Sequence, residues 1–172
     1  EKETVGRYAD LITSISNDFC QRLYDLHKKP VLKITNGFDI RDEIVKKNIS
    51  KKLSTLNKKL RIIFTGSIYS KEPSPVMLLD SIVNLVNNKK IPKNSIIVEF
   101  YGSRLDHIEN LSQKEKYLDL IKVKGHIPRL QVLDEQKKAD LLLLLASSKE
   151  ISRGHLTGKI FEYMSAGRPI IC

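Results

Sequence analysis

The residues best suited to chemistry lie in Arg153-Gly-His-Leu-Thr-Gly-Lys-Ile-Phe-Glu-Tyr-Met-Ser-Ala-Gly-Arg-Pro. Thr157 or Gly158 opens a short helix there, and its free backbone N–H groups and positive dipole end suit a diphosphate. Lys159 adds a full positive charge in a first turn where the dipole alone favours an acid, so its placement asks for an anionic partner. Glu162 follows one turn after Gly158 and three residues after Lys159. A carboxylate there can accept two hydrogen bonds from neighbouring sugar hydroxyls. A plain Lys159–Glu162 surface pair is the competing account, worth a few tenths of a kcal/mol.

Two further loops suit a phosphorylated ligand. In Phe64-Thr-Gly-Ser-Ile-Tyr-Ser-Lys, Gly66 follows a strand and lets the backbone approach a ligand closely, while Lys71 can reach an anion. This is no Walker A loop, and no Gly-x-Gly-x-x-Gly fingerprint occurs in the chain. In Lys124-Gly-His-Ile-Pro-Arg, Gly125 permits a sharp turn, and the backbone around His126 and Ile127 can offer an N–H and a C=O to the edge of a base. His126, a loop histidine beside glycine and proline, reads as a turn residue before it reads as a catalyst.

The elements that must hold these loops show as alternation. Apolar or β-branched runs recur at Asp10–Ser16, Val31–Thr35, Arg61–Thr65, Ser95–Tyr101, Lys122–Lys124, Asp140–Leu145 and Pro169–Cys172, with helical spacing between them. Strands interleaved with helices predict βαβ units, hence an α/β, Rossmann-like open sheet, mostly parallel, with helices on both faces. Asp140–Leu145 is apolar at every position from Leu141 on and reads as a strand covered on both faces. Ser74 is placed to cap a helix starting at Pro75, with Met77, Leu78, Ser81, Ile82, Leu85 and Val86 on one face and Asn87-Asn88 at its end. Gly167 supplies the left-handed stop of the last helix, and Pro169 prevents its continuation.

Composition narrows the classes. The chain has 172 residues, with 30 Lys plus Arg against 20 Asp plus Glu, a formal net charge of +10 that favours anionic partners. Cys20 and Cys172 match no zinc spacing and fit a reducing, cytoplasmic compartment. The start, Glu1 to Asp10, lacks the order of a cleavable signal, and the longest purely apolar stretch, Leu141 to Ala146, is far short of a membrane span. No metal-ligand set is visible. Seven basic residues, Arg41, Lys46, Lys47, Lys51, Lys52, Lys58 and Lys59, face only Asp42 and Glu43. That island reads as a solvated helix and linker, or as a surface for acidic lipid headgroups. A basic nucleic-acid-binding α/β module without enzymatic activity is the alternative of different class. Against it stand 6% aromatic content, no Trp, and no helix joining stacking aromatics to clustered Arg.

With Lys33-Ile-Thr-Asn-Gly-Phe-Asp upstream, these segments resemble the GT-B glycosyltransferases of the retaining family 4 type. "DLITSIS" and "NDFCQRLYDL" are similar to the last strand and helix of that family's acceptor-side domain, and "VLKITNGFD" to its linker. "IIFTGSIYSKEPSPVMLLDSI", "IKVKGHIPRLQVLDEQKKADLLLLL" and "TGKIFEYMSAGRPII" resemble, in order, three segments of its donor-binding domain. The resemblance implies residues 1–40 as the end of the acceptor-side domain with its linker, 41–60 as a lysine-rich connection, and 61–172 as a donor-binding domain cut short. It implies a UDP- or GDP-sugar donor without metal or other cofactor, and transfer of a hexosyl or N-acetylhexosaminyl group with retained configuration. The resemblance also implies an acceptor that is a sugar or lipid-linked oligosaccharide of a bacterial envelope polysaccharide such as lipopolysaccharide, and a cytoplasmic protein with peripheral contact at the cytoplasmic face of the inner membrane. By the same resemblance Gly66, Tyr69, Lys71, Thr157, Gly158 and Lys159 line the diphosphate, Gly125, His126 and Ile127 meet the base, and Glu162 holds the ribose. Two positions depart from the family pattern. Its first glutamate, eight residues before Glu162, is Gly154, and its arginine after the first glycine is Ser67. No catalytic residue is assigned, and the chain alone is expected to bind nucleotide weakly and transfer no sugar.

Overall fold

The computed structural model of the chain describes residues 2–37, 59–68, 74–147, 149–155 and 157–172. The lysine-rich island up to Lys58, and the site candidates Tyr69 and Lys71, lie outside the described residues. Packing divides the chain into two units, Glu1–Ile40 with Ser148–Glu162, and Arg41–Ser147 with Tyr163–Cys172.

In the first unit, α1 (Lys2–Tyr8), β1 (Ile12–Ser14), α2 (Asn17–His27) and β2 (Val31–Lys33) follow in order. The two strands are parallel, with Ile12 opposite Val31 and Ser14 opposite Lys33. Ser16 leaves the strand in extended geometry and its hydroxyl accepts the Phe19 N–H at 3.2 Å, the serine N-cap that starts α2 and stabilises it by about 1 kcal/mol. Lys28, at φ 53°, ends it in the left-handed region, and its N–H returns to the Tyr24 carbonyl.

The second unit is a five-stranded, all-parallel sheet built from β3 (Leu60–Thr65), β4 (Ile96–Tyr101), β5 (Ile121–Gly125), β6 (Leu141–Leu143) and β7 (Ile170–Ile171), in the order β5-β4-β3-β6-β7. Connecting them are α3 (Val76–Asn87), α4 (Asp106–Ser112), α5 (Arg129–Lys138) and α6 (Gly158–Ser165), whose residues up to Glu162 belong to the first unit. The α/β Rossmann-like sheet expected from the sequence is present. Parallel strands need such crossovers, because a tight turn cannot return the chain to the starting edge. The run expected as a central strand is β6, buried at Leu142 and Leu143 and flanked by β3 and β7.

The two faces of the sheet carry different chemistry. Ile62, Phe64, Val98 and Phe100 alternate onto one face and pack with Leu79 and Ile82 of α3 and Ile108 and Leu111 of α4 in the main apolar core. Each side chain of this size contributes about 1.5–3 kcal/mol by leaving water. The other face carries charge. Arg61 Nε donates to Glu99 at 2.9 Å and its Nη2 to Glu135 of α5 at 2.7 Å, while Lys124 stands 3.6 Å from Glu99, itself only 5% exposed. The Tyr101 hydroxyl donates to Glu135 at 3.3 Å, and its phenol is pushed up to about 12, by burial first and then by Glu99 and Glu135.

Burial alone raises the Glu135 carboxyl, but the hydrogen bond and charge of Arg61, helped by Lys138, outweigh it and hold the group below its ordinary value. A depressed carboxyl stabilises the fold above its unfolded-state pKa, and that contribution disappears as pH falls through the folded-state value. Glu135→Gln is therefore expected to flatten the acid-side fall of Tm below about pH 4.5. An unchanged slope in a melting series would exclude Glu135 as a source of that dependence.

The helix expected to begin at Pro75 begins at Val76, with the Ser74 hydroxyl 3.4 Å from the Val76 N–H. Its buried stripe also differs from the expected one. Leu79 and Ile82 are buried, whereas Met77 is 84% exposed and Leu85 also faces outward. Asp80, Ser81, Asn84 and Asn87 mark a polar side of this helix; Met77 falls among them and Leu85 at their border, while Leu79 and Ile82 lie opposite, toward the sheet.

Candidate functional site

Three neighbouring strands of the second unit reach glycine at their carboxyl ends: Gly66 after β3, Gly102 after β4 and Gly125 closing β5. All have positive φ, 132°, 143° and 70°. The Gly66 N–H donates to the Tyr101 carbonyl at 2.7 Å, and the Gly102 N–H to the Gly125 carbonyl at 2.8 Å, so the backbones step across the edge in contact. A Cβ on Gly102 would stand 2.1 Å from the Gly66 carbonyl oxygen. Beside them the Ser67 and Ser103 hydroxyls share a hydrogen bond at 2.7 Å. The result is a low rim of half-buried glycines at the edge where open parallel sheets bind ligands.

Gly66 and Gly125 both stand on this rim, and Gly125 has open space where a side chain would project. Past it His126 is exposed and Ile127 half-buried, on the extended stretch that enters α5 through Pro128. Gly102 and Ser103 were missed by the sequence reading, although a glycine directly after the strand Ile96–Tyr101 is the same signal that marked Gly66.

The reversal of strand order falls between β3 and β6. These strands pair at Ile62–Leu141 and Ile63–Leu142. Beyond that point the Tyr163 hydroxyl accepts the Thr65 N–H at 3.0 Å and lies 3.3 Å from the Thr65 hydroxyl, which in turn accepts from Gln136 Nε2 at 2.8 Å. Tyr163 is wholly buried and Thr65 only 4% exposed.

The remaining candidates, Thr157, Gly158, Lys159 and Glu162, belong to the first unit. Helix α6 opens at Gly158, and the Thr157 hydroxyl accepts the Lys159 N–H at 3.3 Å, so threonine caps the helix and glycine leaves its first turn bare. Gly158 is exposed and Glu162, one turn on, is half-buried. The Asn36 carboxamide nitrogen lies 3.9 Å from where a Gly158 side chain would begin.

Gly154 has a structural reason for lacking a side chain. It sits at φ 82°, and a Cβ would stand 2.6 Å from Asp18 Cβ and 2.7 Å from Ser16 Oγ, at the capped start of α2. Around it Arg153 pairs with Asp18 at 3.4 Å, Arg22 donates to the Glu150 carbonyl at 2.8 Å, and the Phe19 and His155 rings lie 6.1 Å apart. Position 154 therefore cannot take glutamate without moving the segment that carries it. Among the described residues no three His, Cys, Asp or Glu side chains converge as a metal site needs, and no helix is long and apolar enough to cross a membrane.

The class this fold belongs to emerges from comparison with solved structures. The chain superposes on WaaG, a glycosyltransferase involved in lipopolysaccharide biosynthesis, with a TM-score of 0.67 at 12% identity, over 92% of this chain and 42% of WaaG. A TarM mutant of S. aureus in complex with fondaparinux, alpha-GlcNAc-glycerol and UDP matches with a TM-score of 0.63 at 13% identity, over 96% of this chain and 30% of TarM. The pneumococcal O-GlcNAc transferase GtfA, in complex with UDP and GlcNAc, matches with a TM-score of 0.58 at 14% identity, over 94% of this chain and 29% of GtfA. No family model and no curated protein sequence matches. The chain thus has the fold of part of a GT-B glycosyltransferase, and it spans less than half the length of these three proteins.

Proposed function

We propose that the chain binds the nucleotide-sugar donor of a retaining glycosyltransferase and presents it for transfer to a polysaccharide or lipid-linked acceptor. The observation that carries this reading is the carboxyl edge of the sheet. There, three adjacent strands end in glycine beside the reversal of strand order, where open α/β sheets bind nucleotides. The UDP held by the TarM and GtfA structures supports the same ligand class.

In this reading Gly125, His126 and Ile127 take the base, with Gly66, Tyr69 and Lys71 on the diphosphate side. Thr157, Gly158 and Lys159 also serve the diphosphate, and Glu162 takes the ribose hydroxyls. The bond that breaks joins the anomeric carbon to the diphosphate oxygen, and negative charge grows on the departing nucleotide. Groups already oriented toward that charge supply the largest catalytic contribution. We assign this role to the α6 N–H groups and Lys159, with no metal required. The acceptor, hexosyl or N-acetylhexosaminyl specificity, and peripheral attachment at a cytoplasmic membrane face belong to the proposal for the longer protein.

Thermal shift with UDP-, GDP- and ADP-sugars tests the reading, since a ligand at 100 times its Kd adds about 2.7 kcal/mol of stability. No shift with any of them at millimolar concentration refutes it. Lys159→Ala is expected to weaken UDP by roughly 1 kcal/mol and to leave uridine nearly unaffected. Equal losses for the two ligands would remove Lys159 from the diphosphate.

A further inference from the structure

In a parallel sheet the peptide groups of one strand turn alternately to its two neighbours. The Leu60 and Gly66 amides go to Ser95 and Tyr101 at the β4 side, and the Arg61 carbonyl takes the Asp140 N–H at the β6 side. By this alternation the Thr65 amide faces β6. β6 pairs with β3 at Ile62 and Ile63, and at Thr65 the acceptor is the Tyr163 hydroxyl instead of a strand carbonyl. A phenol from a helix thus takes the place of a backbone acceptor where the sheet splits. It does so immediately before Gly66, the residue that turns the chain onto the glycine rim. An amide as buried as that of Thr65 must keep an acceptor, because leaving it unmade costs its full desolvation.

We infer that the Tyr163 hydroxyl is a positioning group. It holds β3 and β6 apart at their carboxyl ends, and through the Thr65 amide it fixes the Gly66–Ser67 turn in the shape that receives the ligand's phosphates. This rests on the nucleotide reading above and adds to it a residue that touches no ligand. Without the hydroxyl the Thr65 amide must find another acceptor, and Gly66 moves with it. The base loop at Gly125 is separated from β3 by β4 and is expected to move less than Gly66.

The test compares full-chain parent protein, Tyr163→Phe and Ile108→Val, a core substitution that lowers stability from the face of the sheet opposite Thr65. Calorimetry is run with UDP and uridine, or with GDP and guanosine if the parent prefers GDP. Tyr163→Phe is expected to raise the Kd for the diphosphate about fivefold, and that for the nucleoside less than about twofold. Its Thr65 amide should exchange hydrogen faster while that of Ile62 stays protected. Ile108→Val should bind both ligands as the parent does. The inference is overturned by equal losses for diphosphate and nucleoside, by no loss, by unchanged Thr65 exchange, by the same diphosphate loss in Ile108→Val, or by a Tyr163→Phe chain that does not fold. A parent that binds neither UDP nor GDP sinks the nucleotide reading, and this inference with it.

Discussion

Replacing Glu162 with alanine is expected to weaken nucleoside diphosphate binding by roughly 1–3 kcal/mol, about five- to 150-fold in Kd, with little change in Tm. The size follows from what the carboxylate is proposed to do. Two hydroxyl donors on adjacent carbons can bind one ionised acceptor, and charge-assisted bonds of this kind exceed neutral ones. Removing the acceptor also leaves the ligand's hydroxyls to be satisfied by water alone. Folding should be nearly indifferent, because Glu162 is half-buried on a helix and alanine is the stronger helix former. Calorimetry with UDP and uridine separates the roles. Both ligands carry the ribose, so both should weaken, in contrast to Lys159→Ala. Unchanged affinity for both would remove Glu162 from the site.

Gly102→Ala should do the reverse, damaging the fold and the site together. The new methyl carbon would stand 2.1 Å from the Gly66 carbonyl oxygen and 2.6 Å from its carbonyl carbon. These are backbone atoms and cannot swing aside as a side chain can. The φ of 143° adds a second cost, since residues with a Cβ rarely adopt it. Overpacking and backbone strain each cost about 1–3 kcal/mol, so a loss of roughly 3 kcal/mol or more is expected. The β3 and β4 ends would have to separate, carrying Gly66 away from Gly102 and breaking the Ser67–Ser103 hydrogen bond. Urea denaturation gives the stability, and a midpoint equal to the parent's would contradict the close approach of the two glycines.

The rim also shows where sequence reading stops. Gly66, Gly125 and Gly167 could be read from local order alone. Each ends a run of regular spacing, and positive φ after a strand or helix is a local demand that glycine meets without help from distant residues. The Thr157 cap and the opening of α6 at Gly158 are local in the same way. Gly102 carried the same signal and was passed over. Its necessity lies in contact with Gly66, 36 positions away, which spacing does not reveal.

Gly154 shows the limit from another side. As a letter in the chain it was a missing glutamate, and in the fold it is a position where the start of α2 leaves no room for a side chain. Charge placement was equally hidden. Nothing in the apolar runs Leu60–Thr65 and Ile96–Tyr101 announces that Arg61 and Glu99 meet inside one face of the sheet with Glu135 above them.

Sequence by itself determined the alternation of strands and helices, the parallel sheet and most of its turns. These depend on propensity, hydrophobic period and the freedom of glycine, and all act between residues a few positions apart. Tertiary structure alone decided where the sheet splits at Tyr163, and why position 154 must be bare. Those outcomes depend on which surfaces meet and on which buried donor finds which acceptor, and a chain acquires such pairings only when distant segments pack against one another.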